Sequence, residues 1–287
     1  VNGYSVAIQT SLLTNFVKGG MTGFQTCMNT NKVYGDMYGF QTALGLNGVL
    51  GDMTGFQTAL GSNGVEGNIN GIQTALACNF VISEEKKFGF KDWLYIIWDT
   101  SAGMYSLLGG NMDEKGNING LQTAVINGVA GTMNGLQTAF FLNMAGEANG
   151  IQLSVAKNFV AGDMNGLQLA GAYNRVTGDF NGIQTSLFGN SSGGSTSGIQ
   201  FSALSNSSQD MAGLQISAVN IQSFFKEERV SSGLQLGLIN YSEAFRGVQI
   251  GLVNWSRRMV GVQIGIINII QNNPVPVIPI FNISTSF

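Results

Sequence analysis

There is no histidine in this chain of 287 residues, and only 10% of its residues are charged. The missing imidazole removes the commonest general base and a favoured metal ligand. An ordinary soluble domain carries roughly 25% charged residues, so this chain lacks the charge to solvate its whole outer surface as a free monomer. A membrane, or copies of the same chain, is expected to cover part of it. The net charge is −3, with no basic tract, which argues against a nucleic-acid partner. No apolar run reaches the roughly 18 residues of a membrane helix. The chain starts at Val1 without Met or a charged leader. It reads as a mature chain whose export signal has been removed, hence secreted or held at the cell surface.

What is abundant is glycine, 41 residues, and one recurring glutamine. Gln9 returns as Gln25, Gln41, Gln57, Gln73, Gln122, Gln137, Gln152, Gln168, Gln184, Gln200, Gln215, Gln235, Gln249 and Gln263. Self-similarity at a short fixed step is the signature of a solenoid.

With each Gln as position zero, position −2 is Gly in every copy except Ala7, and position −1 is always apolar, as in Ile8, Phe24, Phe40 and Val262. Position +1 is Thr in eight copies, and position +2 is small throughout, from Ser11 and Ala43 to Gly251. An Asn follows at +5 or +6, and an apolar residue such as Met53 or Met164 often stands at −4 behind a Gly-Asp step. Alternation from −1 to +4 is strand periodicity. The glycine at −2 and the Asn-Gly and Gly-Asp steps are expected to mark corners with φ > 0.

The sequence therefore predicts an all-β, two-sided β-solenoid of about 15 coils of 14–16 residues, with one inserted arm. Each coil is two short strands and two turns, stacked in parallel about 4.8 Å apart and near 70 Å in total. Where the Gln-to-Asn step shortens by one, a corner absorbs the deletion and strand register survives. Four segments follow: coils over 1–79, an arm over 80–119, coils over 120–271, and a Pro-rich tail or cap over 272–287.

Gln and the small column share one strand face; Phe, Leu or Ile at −1 and Thr at +1 share the other. The sequence leaves open which is interior. Buried, the glutamines would form an amide ladder in which each side chain satisfies the next. Cys27 and Cys78 fall three coils apart, about 14 Å, too far for a disulfide.

The arm holds ten of the 29 charged residues and two of the three tryptophans. It is either a loop folded over the solenoid or a docking arm presenting Trp93, Tyr95 and Trp98. A smaller bulge spans 222–230, with Phe224 and Phe225. At the ends, Val1, Tyr4, Val6 and Ile8 form an uncapped first coil. Pro274, Pro276 and Pro279 break the ladder before the apolar tail of Ile280, Phe281, Ile283 and Phe287. That tail is a cap, or it docks on the first coil of the next copy by strand addition.

Asp36 and Asp52, like Asp163 and Asp179, share one turn column, where exposure or a Ca²⁺ ion would relieve their repulsion. The column drifts to Asn68, Thr132 and Ser195, which favours a plain turn. The Thr column of Thr10, Thr26, Thr42, Thr58 and Thr74 is like the flat ladders of ice-binding solenoids, but the paired Thr-x-Thr is missing. No triad, carboxylate pair or phosphate loop stands out, so neither an enzyme nor a cofactor is expected.

The late coils read Gln235-Leu236-Gly237-Leu238-Ile239-Asn240, Gln249-Ile250-Gly251-Leu252-Val253-Asn254 and Gln263-Ile264-Gly265-Ile266-Ile267-Asn268. This Gln-x-Gly-x-x-Asn pattern resembles the core of curli-type functional amyloid repeats, which are longer and carry further Ser, Ala and Gln anchors. With its Pro-rich ending, the chain outside 80–119 is similar to bacterial surface repeat proteins of spirochaetes and other Gram-negatives. That resemblance implies export and surface location rather than an activity.

Three functional readings follow. The first is a secreted structural subunit whose partners are copies of itself, assembled head-to-tail into an extracellular filament or sheath. The second is a surface adhesin that binds through the arm. The third, suggested by the alternating Phe281 and Ile283 and by Phe287, is an outer-membrane barrel, the one alternative with a membrane partner.

Overall fold

Met37–Ala43 and Leu46–Val49 make one coil: a seven-residue strand, a two-residue turn, and a four-residue strand. The computed structural model describes residues 3–82, 116–222 and 229–287. Throughout these the chain is all-β, without a helix, and its parallel strands stack as a β-solenoid of about 14 turns. Contacts divide it into two units, Val1–Val155 and Ala156–Phe287.

In the first unit the register is column on column. Met37 pairs with Met53, Phe40 with Phe56, Gln41 with Gln57 and Thr42 with Thr58. The interior is now decided. Met37, Gln41 and Ala43 point inward, as do Asn47 and Val49 on the opposing strand, while Tyr38, Phe40 and Thr42 are exposed. Met21, Met37, Met53 and Val17, Val33, Val49 close the apolar end of the cross-section, each at most 1% exposed. Burying one such side chain contributes roughly 1.5–3 kcal/mol.

Two expectations need correction. Glycine at −2 does take positive φ, but in mid-strand rather than at a corner: Gly55 lies inside Met53–Ala59 with φ 132°. A Cβ on Gly55 would sit 2.0 Å from the Gly39 carbonyl oxygen, so coil-to-coil approach sets the requirement. Ala7 escapes because no strand pairs with Ser5–Ser11 on that side among the described residues, and its φ is not positive.

The second correction concerns the arm. The solenoid runs on through the strand Cys78–Val81, where Phe80 and Val81 are buried, and resumes with Ile118–Ser154. Both strands lie partly within the 80–119 segment. Register is kept across the interruption, Asn79 on Asn127 and Gln73 on Gln122. Trp93, Tyr95 and Trp98 fall outside the described residues, as do Val1, Phe224 and Phe225.

In the second unit Met164, Phe180 and Phe245 continue the buried −4 column. Opposite them, Val160 and Val176 give way to Ser192, Ser208, Gln222, Ser242 and Ser256. Those hydroxyls join the glutamine ladder: Gln249 Nε2 donates to Ser242 Oγ at 3.2 Å, and Ser256 Oγ donates to Gln249 Oε1 at 2.9 Å. Where the Gln-to-Asn step shortens, as at Gln215–Asn220, Asn206 still faces Asn220, so the corner absorbs the deletion.

The tail is a cap on its own chain. Val277–Ser284 folds back antiparallel onto Val253–Ile270, with Asn282 opposite Gln263. The other strand pairings among the described residues are parallel, which is not the antiparallel closure of an outer-membrane barrel.

Candidate functional site

Two amide ladders run through the first unit, and they point in opposite directions. Gln41 Nε2 donates to Gln25 Oε1 at 2.8 Å, toward the preceding coil, and Gln57 Nε2 donates to Gln41 Oε1 at 2.7 Å. Asn31 Nδ2 instead donates forward to Asn47 Oδ1 at 2.9 Å and to the Thr42 carbonyl at 2.7 Å. The short Asn side chain thereby ties the four-residue strand of one coil to the seven-residue strand of the next. Both amides are buried, so each bond removes a desolvation cost of about 1–3 kcal/mol that an orphan would carry.

These ladders end differently. In the first coil Gln9 Nε2 and Asn15 Oδ1 have no partner among the described residues, while Gln9 Oε1 accepts from Gln25 and Asn15 Nδ2 donates to Asn31. In the second unit Gln263 Oε1 is buried without a partner, because Asn282 opposite it turns its amide to the Asn268 and Pro276 carbonyls.

The turn aspartates are neither bare nor arranged as a metal cage. Asp36 Oδ1 accepts the backbone N–H of Asp52 at 2.9 Å, and Asp52 Oδ1 accepts that of Asn68 at 2.7 Å. Asn68 and Asn117 do the same for the residues that follow, so the column needs an oxygen rather than a charge. In the second unit Asp163 and Asp179 repeat the bond at 2.7 and 2.8 Å. No group of three potential metal-binding side chains occurs among the described residues.

The broad outer face of the first unit is the most distinctive surface. Phe24, Phe40 and Phe56 stack face to face, with ring centroids 4.8 and 5.0 Å apart and planes within 3° of parallel. Thr42 Oγ1 donates to Thr26 Oγ1 at 3.0 Å on one side of that column. On the other side, further along, Asn119 donates to Asn70 and Asn134 to Asn119, both at 2.9 Å. Beyond the threonines a groove of about 710 Å³ runs between Thr26, Thr42 and Thr58 and a ridge of Met28, Leu44 and Leu60. Charge in this unit sits elsewhere, for example Lys32 on the four-residue strand, over the Tyr34 ring at 4.8 Å.

In the second unit the outer charges form local pairs: Arg229 with Asp210 at 2.9 Å and Arg257 with Glu243 at 3.7 Å. Burial and the neighbouring Arg175 hold the Lys157 ammonium below its usual range. Burial, then Glu243, raises the Tyr241 hydroxyl.

Among the residues singled out from the sequence, all glutamines from Gln25 to Gln263 are interior. Val6 and Ile8 lie outward on the first strand, 76% and 75% exposed, and the Tyr4 hydroxyl bonds to Thr22. Ile280, Phe281 and Ile283 are exposed on the cap strand, and the Phe287 ring lies 5.8 Å from both Arg246 and Arg258. The two cysteines are free and buried. Burial pushes the Cys78 thiol up to about 12. The valine column at Val17, Val33 and Val49 was missed in the sequence reading, though Asn-x-Val was its visible signal.

Comparison of the chain with known protein families, curated proteins and solved structures finds no match.

Proposed function

We propose that this chain is a secreted structural protein whose partner is another copy of itself, assembling head-to-tail into an extracellular filament or sheath. One observation carries the reading. The strand Ser5–Ser11 is paired on one side only among the described residues, and it carries the unmatched Gln9 amide donor directly after outward Val6 and Ile8. An edge with unpaired backbone groups and an unfinished amide ladder is a template for a further strand. On this reading the tail stays on its own last coil, and the free edge of Val277–Ser284 is the surface offered to the next copy. The interior suits a structural element, because within each unit neighbouring coils are tied by buried side-chain amides as well as by backbone bonds, as at Gln41–Gln25 and Gln249–Gln235.

Electron microscopy and fibre diffraction of native material test this. Filaments with a strand repeat near 4.8 Å along their axis are expected. Replacing both Val6 and Ile8 with lysine should abolish them while leaving the circular dichroism of the chain unchanged. Monodisperse single chains at every concentration would overturn the proposal.

A further inference from the structure

The neutral outer face of the first unit has no role in end-to-end stacking, and its chemistry sets narrow limits on what can cover it. The eight coils from Gln9 to Gln152 each present positions −3, −1 and +1 outward, and none of those positions carries a charge. The polar groups that are present satisfy one another along their columns, Thr26 with Thr42, Thr123 with Thr138, and Asn119 with Asn134. Water therefore loses few hydrogen bonds when the face is covered, and the stacked phenylalanines gain by leaving it.

We propose that this face, centred on Phe24, Phe40 and Phe56, packs against the same face of a second copy of this chain.

Three features select that occupant. The first is period. The aromatic ridge repeats at 4.8–5.0 Å because it rides on strands, and a second stack of strands has the same repeat, so its side chains seat between these along the whole length. The second is symmetry. A two-fold axis lying between two such faces, whether along the strands or along the stack, brings the central aromatic column onto itself, the self-complementarity a closed dimer requires. The third is area. Seven-residue strands about 23 Å wide and eight coils about 38 Å long give about 870 Å² per copy, against roughly 800 Å² per partner in a standard interface.

This lateral contact deepens the self-assembly reading and rests on it, but it uses neither strand edge. Sedimentation velocity and electron microscopy of the full chain separate the two. Phe40 is 39% exposed, so Phe40→Lys tests the face without emptying a core. Gly64→Lys is the control: it places a charge on the four-residue strand, where a Cβ meets nothing within 4 Å.

Phe40→Lys is expected to weaken lateral pairing at least about tenfold, leaving single filaments where the parent chain forms paired ones. Gly64→Lys should pair like the parent. Paired filaments in Phe40→Lys would overturn the lateral contact and leave end-to-end assembly standing. A parent chain that stays monomeric overturns both. A parent chain that binds neutral lipid vesicles or ice through this face, and does not pair, gives the face another occupant and also overturns the proposal.

Discussion

Gln41 donates its side-chain amide to Gln25, one coil behind it, at 2.8 Å, both side chains wholly buried. Replacing Gln41 with alanine orphans two groups at once, Gln25 Oε1 and Gln57 Nε2. We expect a loss of about 3 kcal/mol in a denaturant titration, the sum of two unmet buried partners. Gln41→Glu should behave differently with pH. Burial raises the folded-state pKa of such a carboxyl above its ordinary value of about 4.3. The protonated acid still has one donor and one acceptor, so the variant should approach parental stability at about pH 4 and lose it as pH rises toward neutrality. A stability profile flat between pH 4 and 8 would contradict the burial of this column.

Gly55 and Gly64 separate two uses of glycine. Gly55→Ala forces a methyl to within 2.0 Å of the Gly39 carbonyl at φ 132°, and should cost about 3 kcal/mol or more. Gly64→Ala meets nothing within 4 Å, and should stabilise by about 0.5 kcal/mol through the unfolded state. Thermal melts of the pair read the difference directly.

Asp52 supplies an oxygen to the Asn68 backbone N–H. Asp52→Asn should therefore be close to neutral, while Asp52→Ala costs about 1 kcal/mol. A chelator added to the parent protein should leave its melting temperature unchanged. A calcium-dependent shift would return the column to metal binding.

Burial holds the Cys78 thiol near 12, against 9.0 for a free thiol. At pH 8 its thiolate population is lower than a free thiol's by roughly a thousandfold. Burial raises the Cys27 thiol as well, but Cys27 is the more accessible of the two, 8% against 2% exposed, so it should be alkylated before Cys78. The folded-state pKa is raised, so the stability this neutral thiol contributes is present below about pH 9 and is lost as the pH rises toward 12. Mass spectrometry of the alkylated native protein gives the order of reaction.

Much of this architecture was legible from residue columns. Gln at a near-constant step, Gly two before it and Asn after it placed the strands and the coil stack. The columns did not say which face was interior, because Met and Val at the coil's far end are as apolar as Phe at −1. What decides is that Gln, Asn and the small residues share their face with Met37 and Val49, leaving Phe40 outside. The positive φ of Gly55 was foreseen as a property of turns; its cause, the carbonyl of the coil behind, is a contact between copies of the motif that no single copy reveals. The oxygen role of Asp36 and Asp52 was hidden for the same reason: its partner is the backbone, which has no letter in the sequence.

The corner after Ile82 has a consequence for how this chain can vary. Asn79 donates to Asn127 at 3.1 Å across 48 positions of sequence, much as Asn63 donates to Asn79 across 16. The stack therefore takes no account of how much chain leaves and returns between two coils, provided the next Gln and Asn arrive in phase. Length in such a molecule is modular: whole coils can be added or removed, and foreign segments spliced at that corner, each bounded by the same two amides.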